Sequence, residues 1–179
     1  HLHHYNREYD EGGYFSWYNS DTIILKADRR VKTNNKFSYG FGTEYKYDSG
    51  SFFNDGSWSQ PSTNGNVDNL GVFANAGYYF SDNTILSFFG RGDNHKTTGL
   101  NSTYKFNINQ IYNNFSVGLT HSTGLRNPTL YELYGTSSTG YKGSTDINPE
   151  KSKTNELLFQ YNIFENFKLS STAYRTSIF

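Results

Sequence analysis

The sequence predicts an all-β fold, an antiparallel transmembrane β-barrel of which about nine strands of a larger barrel are present, on three observations. Hydrophobic residues make up only 34% of the chain while aromatic ones reach 18%, with Tyr 16 and Phe 15. A soluble core leans on a larger apolar share, mostly aliphatic. Mean hydropathy is -0.76, and the aromatics are interleaved with Asn, Ser, Thr and Gly, as in a wall with one greasy face and one wet face. The connections between alternating segments are then sorted by length, long and short in turn.

Period-two alternation carries the elements. Strands are expected near 2–10 and 22–31, the second opening on Ile23-Ile24-Leu25. The clearest is 37–48, which sets Phe37, Tyr39, Phe41, Thr43, Tyr45 and Tyr47 against Ser38, Gly40, Gly42, Glu44, Lys46 and Asp48. In 70–80, Leu70, Val72, Ala74, Ala76, Tyr78 and Phe80 share a face. After 85–93 comes 103–110, with Tyr104, Phe106 and Ile108 opposite Lys105, Asn107 and Asn109. Phe115, Val117 and Leu119 define 115–124, and 154–163 and 168–178 complete the set. Several have the roughly 9–11 residues that cross a bilayer at a tilt. No helix is expected, because glycines interrupt most segments and no 3.6-residue stripe persists.

Long connections fall at 11–21, 49–69, 94–102 and 125–153, and short ones at 32–36, 81–84, 111–114 and 164–167. Outer-membrane barrels have short periplasmic turns and longer extracellular loops, so the long set is expected outside the cell. Soluble barrels also alternate strand direction. Aromatics gather where strands meet the short turns, for example Tyr78 to Phe80, Tyr112 and Phe115. They suit a headgroup-level girdle, or follow from strand preference alone.

Composition excludes several function classes. Lys+Arg and Asp+Glu are both 16, so no basic stripe suggests a nucleic-acid partner. Cysteine is absent, which removes disulfides and thiolate metal sites. No apolar run approaches the length of a transmembrane helix. No nucleophile elbow, His-Glu-x-x-His or phosphate-binding loop appears, so no enzyme, cofactor or catalytic residue is assigned. His1, His3 and His4 have ligand chemistry but read equally as a cloning remnant or a strand start. Asp55, Asn64, Asn66 and Asp68 offer oxygens of the kind calcium takes, yet turns hold the same residues, and no metal site is assigned.

Two stretches carry a family resemblance. Thr123-Gly124-Leu125-Arg126-Asn127-Pro128-Thr129-Leu130-Tyr131-Glu132-Leu133-Tyr134-Gly135 resembles a late-barrel segment of TonB-dependent outer-membrane receptors. Asp146-Ile147-Asn148-Pro149-Glu150-Lys151-Ser152, then a strand with Glu156 and then Ala173-Tyr174-Arg175-Thr176-Ser177-Ile178, resembles the next barrel segment of the same receptors. Leu125 and Asn127 depart from the usual Phe and Ala. Within the family the Leu-Tyr-Glu-Leu-Tyr-Gly wording is most similar to vitamin B12 receptors. The resemblance implies energised uptake of a scarce ligand, such as vitamin B12 or an iron complex. The partners it implies are outer-membrane lipid, a small-molecule metal complex, and the TonB system acting through a plug domain that is absent from residues 1–179. A passive porin-like or structural outer-membrane barrel is the alternative.

The residues themselves give the motif a structural role. Pro128 ends a strand, Leu130, Tyr131, Leu133 and Tyr134 fold an apolar loop over the rim, and Pro149 lets the chain re-enter. Candidate ligand contacts are aromatics expected in the long loops: Trp17, Tyr18, Phe52, Phe53, Trp58, Tyr131, Tyr134 and Tyr141. Mutual packing of the loops is the competing role, because exposed aromatics at a mouth need some partner. An odd strand number puts the chain ends on opposite sides of a membrane, and Ser177, Arg175, Ala173 and Ser171 behind Phe179 do not form an apolar final strand. The expectation is therefore a fragment of a barrel domain.

Overall fold

The computed structural model describes residues 1–11, 14–33, 36–55, 60–136, 140–164 and 167–179, without the side chains of 11, 14, 54, 55 and 60–62. Nine strands form one antiparallel sheet in sequence order. They are β1 (Leu2–Glu11), β2 (Tyr14–Lys32), β3 (Phe37–Asp55), β4 (Gln60–Ser81), β5 (Thr84–His95), β6 (Gly99–Ile111), β7 (Phe115–Arg126), β8 (Glu150–Phe164) and β9 (Phe167–Ile178). β1 and β9 are the two edges of the sheet.

The alternation read from the sequence sets the faces. Register pairs Phe41 with Ala74, Ala74 with Gly90 and Gly90 with Tyr104 on one face. Glu44, Gly71 and Asp93 share the other. The first face is apolar through the middle of the sheet: Phe41 is 52% exposed, Val72 57% and Leu119 55%. We call it the outer face and its opposite the inner face. Aromatic pairs mark the short-turn end, where Tyr112 stacks on Phe115 at 4.3 Å and Phe37 lies 6.0 Å from Tyr39.

Two expectations are corrected. The segments 11–21 and 49–69 are largely strand rather than loop: β2 and β3 each run 19 residues and β4 runs 22. Trp17, Tyr18, Phe52 and Phe53 therefore sit on strands, while Trp58 lies outside the described residues. The alternation fades there because the outer face becomes polar above the apolar band, at Asn19, Asp21, Ser49 and Asn66. The ladder continues regardless, since backbone pairing does not depend on apolar side chains. The connection at 94–102 shrinks to Lys96–Thr98 for the same reason.

The second correction is a helix, α1 (Leu130–Tyr134). It is one turn long and too short to show a helical stripe. A capping box holds it: the Thr129 hydroxyl accepts from the Glu132 N–H, and the Glu132 carboxylate accepts from the Thr129 N–H at 2.7 Å. No helix among the described residues is long and apolar enough to cross a membrane.

Candidate functional site on the inner wall

The ladder of β7 stops at Arg126 and that of β8 starts at Glu150, one residue outside Asn127-Pro128 and Pro149. After Arg126 the chain turns inward, and α1 lands on the extended parts of β3 and β4. The landing surface is made by two glycines, Gly50 and Gly65, which face each other across the β3–β4 ladder. A Cβ on Gly50 would stand 3.1 Å from the Leu130 side chain, and one on Gly65 would fall inside the Tyr134 ring. The wall is thus notched to admit the helix.

Apolar side chains fill the joint. Phe52, Val67, Leu130 and Leu133 are buried, Leu133 to 2% exposure, and Tyr18 and Tyr134 pack against them. Tyr18 meets Phe52 at 4.9 Å, and Phe52 meets Tyr131 edge-on at 5.7 Å. The Thr63 hydroxyl donates to the Tyr134 carbonyl at 2.7 Å, and the Tyr134 hydroxyl to the Asn66 carbonyl at 3.2 Å. At the neck of the loop, Arg126 bridges Glu132 at 2.7 Å and Glu150 at 2.9 Å. The Thr129 N–H, with Arg126 beside it, holds the Glu132 carboxyl below the usual carboxylate range.

The candidate aromatics therefore separate into three groups. Tyr18, Phe52 and Tyr134 serve packing. Tyr131 and Tyr141 stack face to face at 5.2 Å with 5° between planes and stay 43% and 38% exposed. Trp17 and Phe53 pair with each other at 6.0 Å, and alternation turns them to the face opposite Tyr18 and Phe52.

Beside the helix, the inner face opens into a cavity of about 710 Å³, whose lining includes Tyr5, Arg7, Tyr9, Tyr18, Phe52 and Tyr131. Behind it a second cavity, about 390 Å³, includes Thr22, Asp48, Asn69, His95 and Leu130 in its wall. His95 is 6% exposed and its Nδ1 accepts from the Thr97 N–H at 3.3 Å.

Further along the inner face lies a charged network that sequence reasoning missed. The Arg91 guanidinium grips Asp93 through Nε at 2.8 Å and Nη2 at 2.7 Å, and donates to Glu44 at 2.9 Å. Asn69 adds a donor to Asp93 at 2.7 Å. Glu44 and Arg91 meet only because β4 contributes Gly71 between them, where any Cβ would collide with the guanidinium. A glycine flanked in register by two carboxylates, with Arg91 two residues from one of them, was the available signal, but it requires the register. Among the described residues no three His, Cys, Asp or Glu cluster to hold a metal ion. His4 pairs with Asp21 at 2.8 Å.

Residues 2–178 match the family model "TonB dependent receptor-like, beta-barrel". None of the curated proteins compared with the chain matches it. Among solved structures, the siderophore receptor PirA from Pseudomonas aeruginosa superposes with a TM-score of 0.74 at 16% identity, over 92% of this chain and 33% of that one. The ferric enterobactin receptor PfeA from the same organism, in complex with enterobactin, gives 0.73 at 15%, over 92% and 27%. The copper transporter OprC gives 0.73 at 13%, over 92% and 30%. The chain spans about a third or less of the length of these structures, and identities this low speak to fold. The similarity in wording to vitamin B12 receptors finds no support among these neighbours. With its whole sheet inside the matched range, the chain belongs to the TonB-dependent receptor β-barrel family, outer-membrane transport receptors rather than enzymes.

Proposed function

We propose that these 179 residues are a barrel segment of a receptor for energised uptake of a scarce metal complex, with the long-strand end extracellular. The ligand enters from that end, and the TonB system pulls through a plug domain encoded outside this segment. The observation that carries the reading is α1 folded onto the inner wall beside an open aromatic cavity. A receptor needs a shaped surface inside its mouth, and the docked helix beside an aromatic cavity supplies one.

The lining of that cavity supports a ligand class. Tyr5, Tyr9 and Tyr131 offer ring faces and hydroxyls, and Arg7 supplies a cation with no ion pair among the described residues. An anionic, ring-bearing chelate of iron fits this chemistry, because a guanidinium meets the charge and tyrosines stack on the rings. A siderophore is therefore favoured over vitamin B12. The exposed Tyr131–Tyr141 stack is the contact pair offered to it.

The test is uptake of an iron-loaded catecholate siderophore by cells carrying the full-length receptor, with and without TonB. Uptake should require TonB, and Arg7→Ala should weaken binding by about tenfold or more, as expected for a lost hydrogen bond to charge. Uptake that persists without TonB and follows solute size alone would make this a passive pore.

A further inference from the structure

The outer face of β6–β9 carries a polar row where neighbouring strands carry apolar residues. The Tyr104 hydroxyl meets His121 Nε2 at 3.1 Å, and His121 Nδ1 meets the Asn155 carbonyl oxygen at 2.7 Å. Asn155 stands opposite Arg175 in the ladder. These four residues lie on the outer face; His121, Asn155 and Arg175 are level in register, and Tyr104 is diagonal to His121, whose own ladder partner is Phe106. They sit six to nine residues above the lower strand ends at Ile111, Phe115, Phe164 and Phe167. At about 3.3 Å per residue and a tilt of roughly 40°, that is about 15–23 Å up an apolar band about 25 Å tall. Polar side chains at this depth cost stability unless something pairs with them.

The row is electrostatically one-sided. The Asn155 carbonyl oxygen faces His121 Nδ1 and can only accept from it. What remains toward the surroundings is the Asn155 amide N–H2 and the Arg175 guanidinium, both donors. Directly above on β8, Lys153 and Lys151 share the outer face, with Lys153 diagonal to Arg175 at about 7–8 Å between Cα atoms. Lys153 lies 5.4 Å over the Phe179 ring, and none of the three cations has an ion pair among the described residues. No Asp or Glu occupies an outer-face position of β6–β9, whereas β1 and β2 place Glu8, Asp10 and Asp21 on theirs. Below the row a shallow apolar groove runs over Phe106, Ile108, Leu119, Leu157 and Ala173.

We infer that this patch is a seat for one phosphate-bearing glycolipid of the outer leaflet, of the lipid A class. Arg175, Lys153 and Lys151 meet its phosphate, Asn155 donates to a further oxygen, and an acyl chain lies along the groove. A phosphate is an acceptor-only anion and takes charge-assisted bonds from such donors. The apolar groove beneath distinguishes a lipid from free phosphate. The assignment to the outer leaflet rests on the orientation proposed above, while binding itself does not.

The test uses the full-length receptor purified in detergent, washed, and assayed by mass spectrometry for retained bisphosphorylated lipid A. Wild type and Arg29→Gln, an outer-face cation elsewhere, should retain it. The combined Lys151→Gln, Lys153→Gln and Arg175→Gln variant should retain about a hundredfold less, from roughly fivefold per surface cation. Lys153→Arg should bind as wild type, inorganic phosphate should not displace the lipid, and dephosphorylated lipid A should be lost in the wash. Equal retention by the triple variant, or of dephosphorylated lipid, would overturn the seat. Separately, Ser144→Cys should react with an impermeant maleimide on intact cells. Reaction only after permeabilisation would overturn the leaflet assignment and leave the lipid measurement to be judged by itself.

Discussion

The wall formed by β2–β4 and the wall formed by β5–β7 share one plan through the apolar band and diverge above it. Strands of 19, 19 and 22 residues make the first, and strands of 12, 13 and 12 the second. The difference lies in what the inner face meets. Above the band the first wall presents Gly50, Phe52, Gly65 and Val67, and α1 covers them. The inner face of the second carries Thr103, Lys105, Asn107 and Asn109, and among the described residues α1 does not reach it. A strand outside a membrane persists where its face has something to pack against. The length of β3 and β4 is thus a property of the loop as much as of the strands.

The comparison breaks most readily within the band, where the two walls should behave alike. Phe41→Arg on the outer face is expected to cost about 2–4 kcal/mol near the midplane. Its effect is read as loss of the heat-modifiable gel band of the folded full-length barrel. If Phe41→Arg assembles normally, the outer face has been assigned to the wrong side of the sheet.

A pair of inner-face glycines sharpens the contrast above the band. Gly65→Ala drives a methyl into the Tyr134 ring, while Gly118→Ala on β7 meets only ordinary contacts, the nearest at 3.4 Å. The first should loosen loop docking by about 1–3 kcal/mol as an overpacking change, and the second should be neutral. Limited proteolysis within 140–148 reports both, and equal cleavage in the two variants would show that the notch does not seat the loop.

The smallest expected effect is one of pH. The Glu132 pKa lies below its ordinary 4.5, so the folded loop prefers the ionised form. That contribution is fully present above the ordinary value and fades as pH falls through the lowered one. Hydrogen exchange at the Leu133 N–H, which donates to the Thr129 carbonyl at 3.0 Å, should accelerate more than its intrinsic rate predicts below about pH 4.5. Glu132→Gln should abolish that excess.

The band was legible because lipid on one side and water on the other enforce period-two chemistry, as at Phe37 to Asp48. The strand extensions were not. Asn19, Ser49 and Asn66 carry no period, and what holds them in line comes from the loop residues Leu130 and Leu133. Pro128 and Pro149 marked the limits of the loop correctly. Its helix was readable from Thr129-Leu130-Tyr131-Glu132, a capping box in one turn, though not from any stripe. Among the aromatics, sequence left packing and binding open. Burial separates Phe52 from Tyr131, and that separation depends on which side of a strand the helix docks.

The facing glycines also impose an order of events. Gly50 and Gly65 become a notch only when β3 and β4 have paired in this register, and a slip of two residues would set Gly50 against Val67 or Thr63. Leu130 and Tyr134 arrive from about 70 positions further along the chain, a costly closure that succeeds only on a finished surface. Docking of the loop therefore serves as an inspection step, in which a mispaired hairpin offers no socket and leaves the apolar turn of α1 in water.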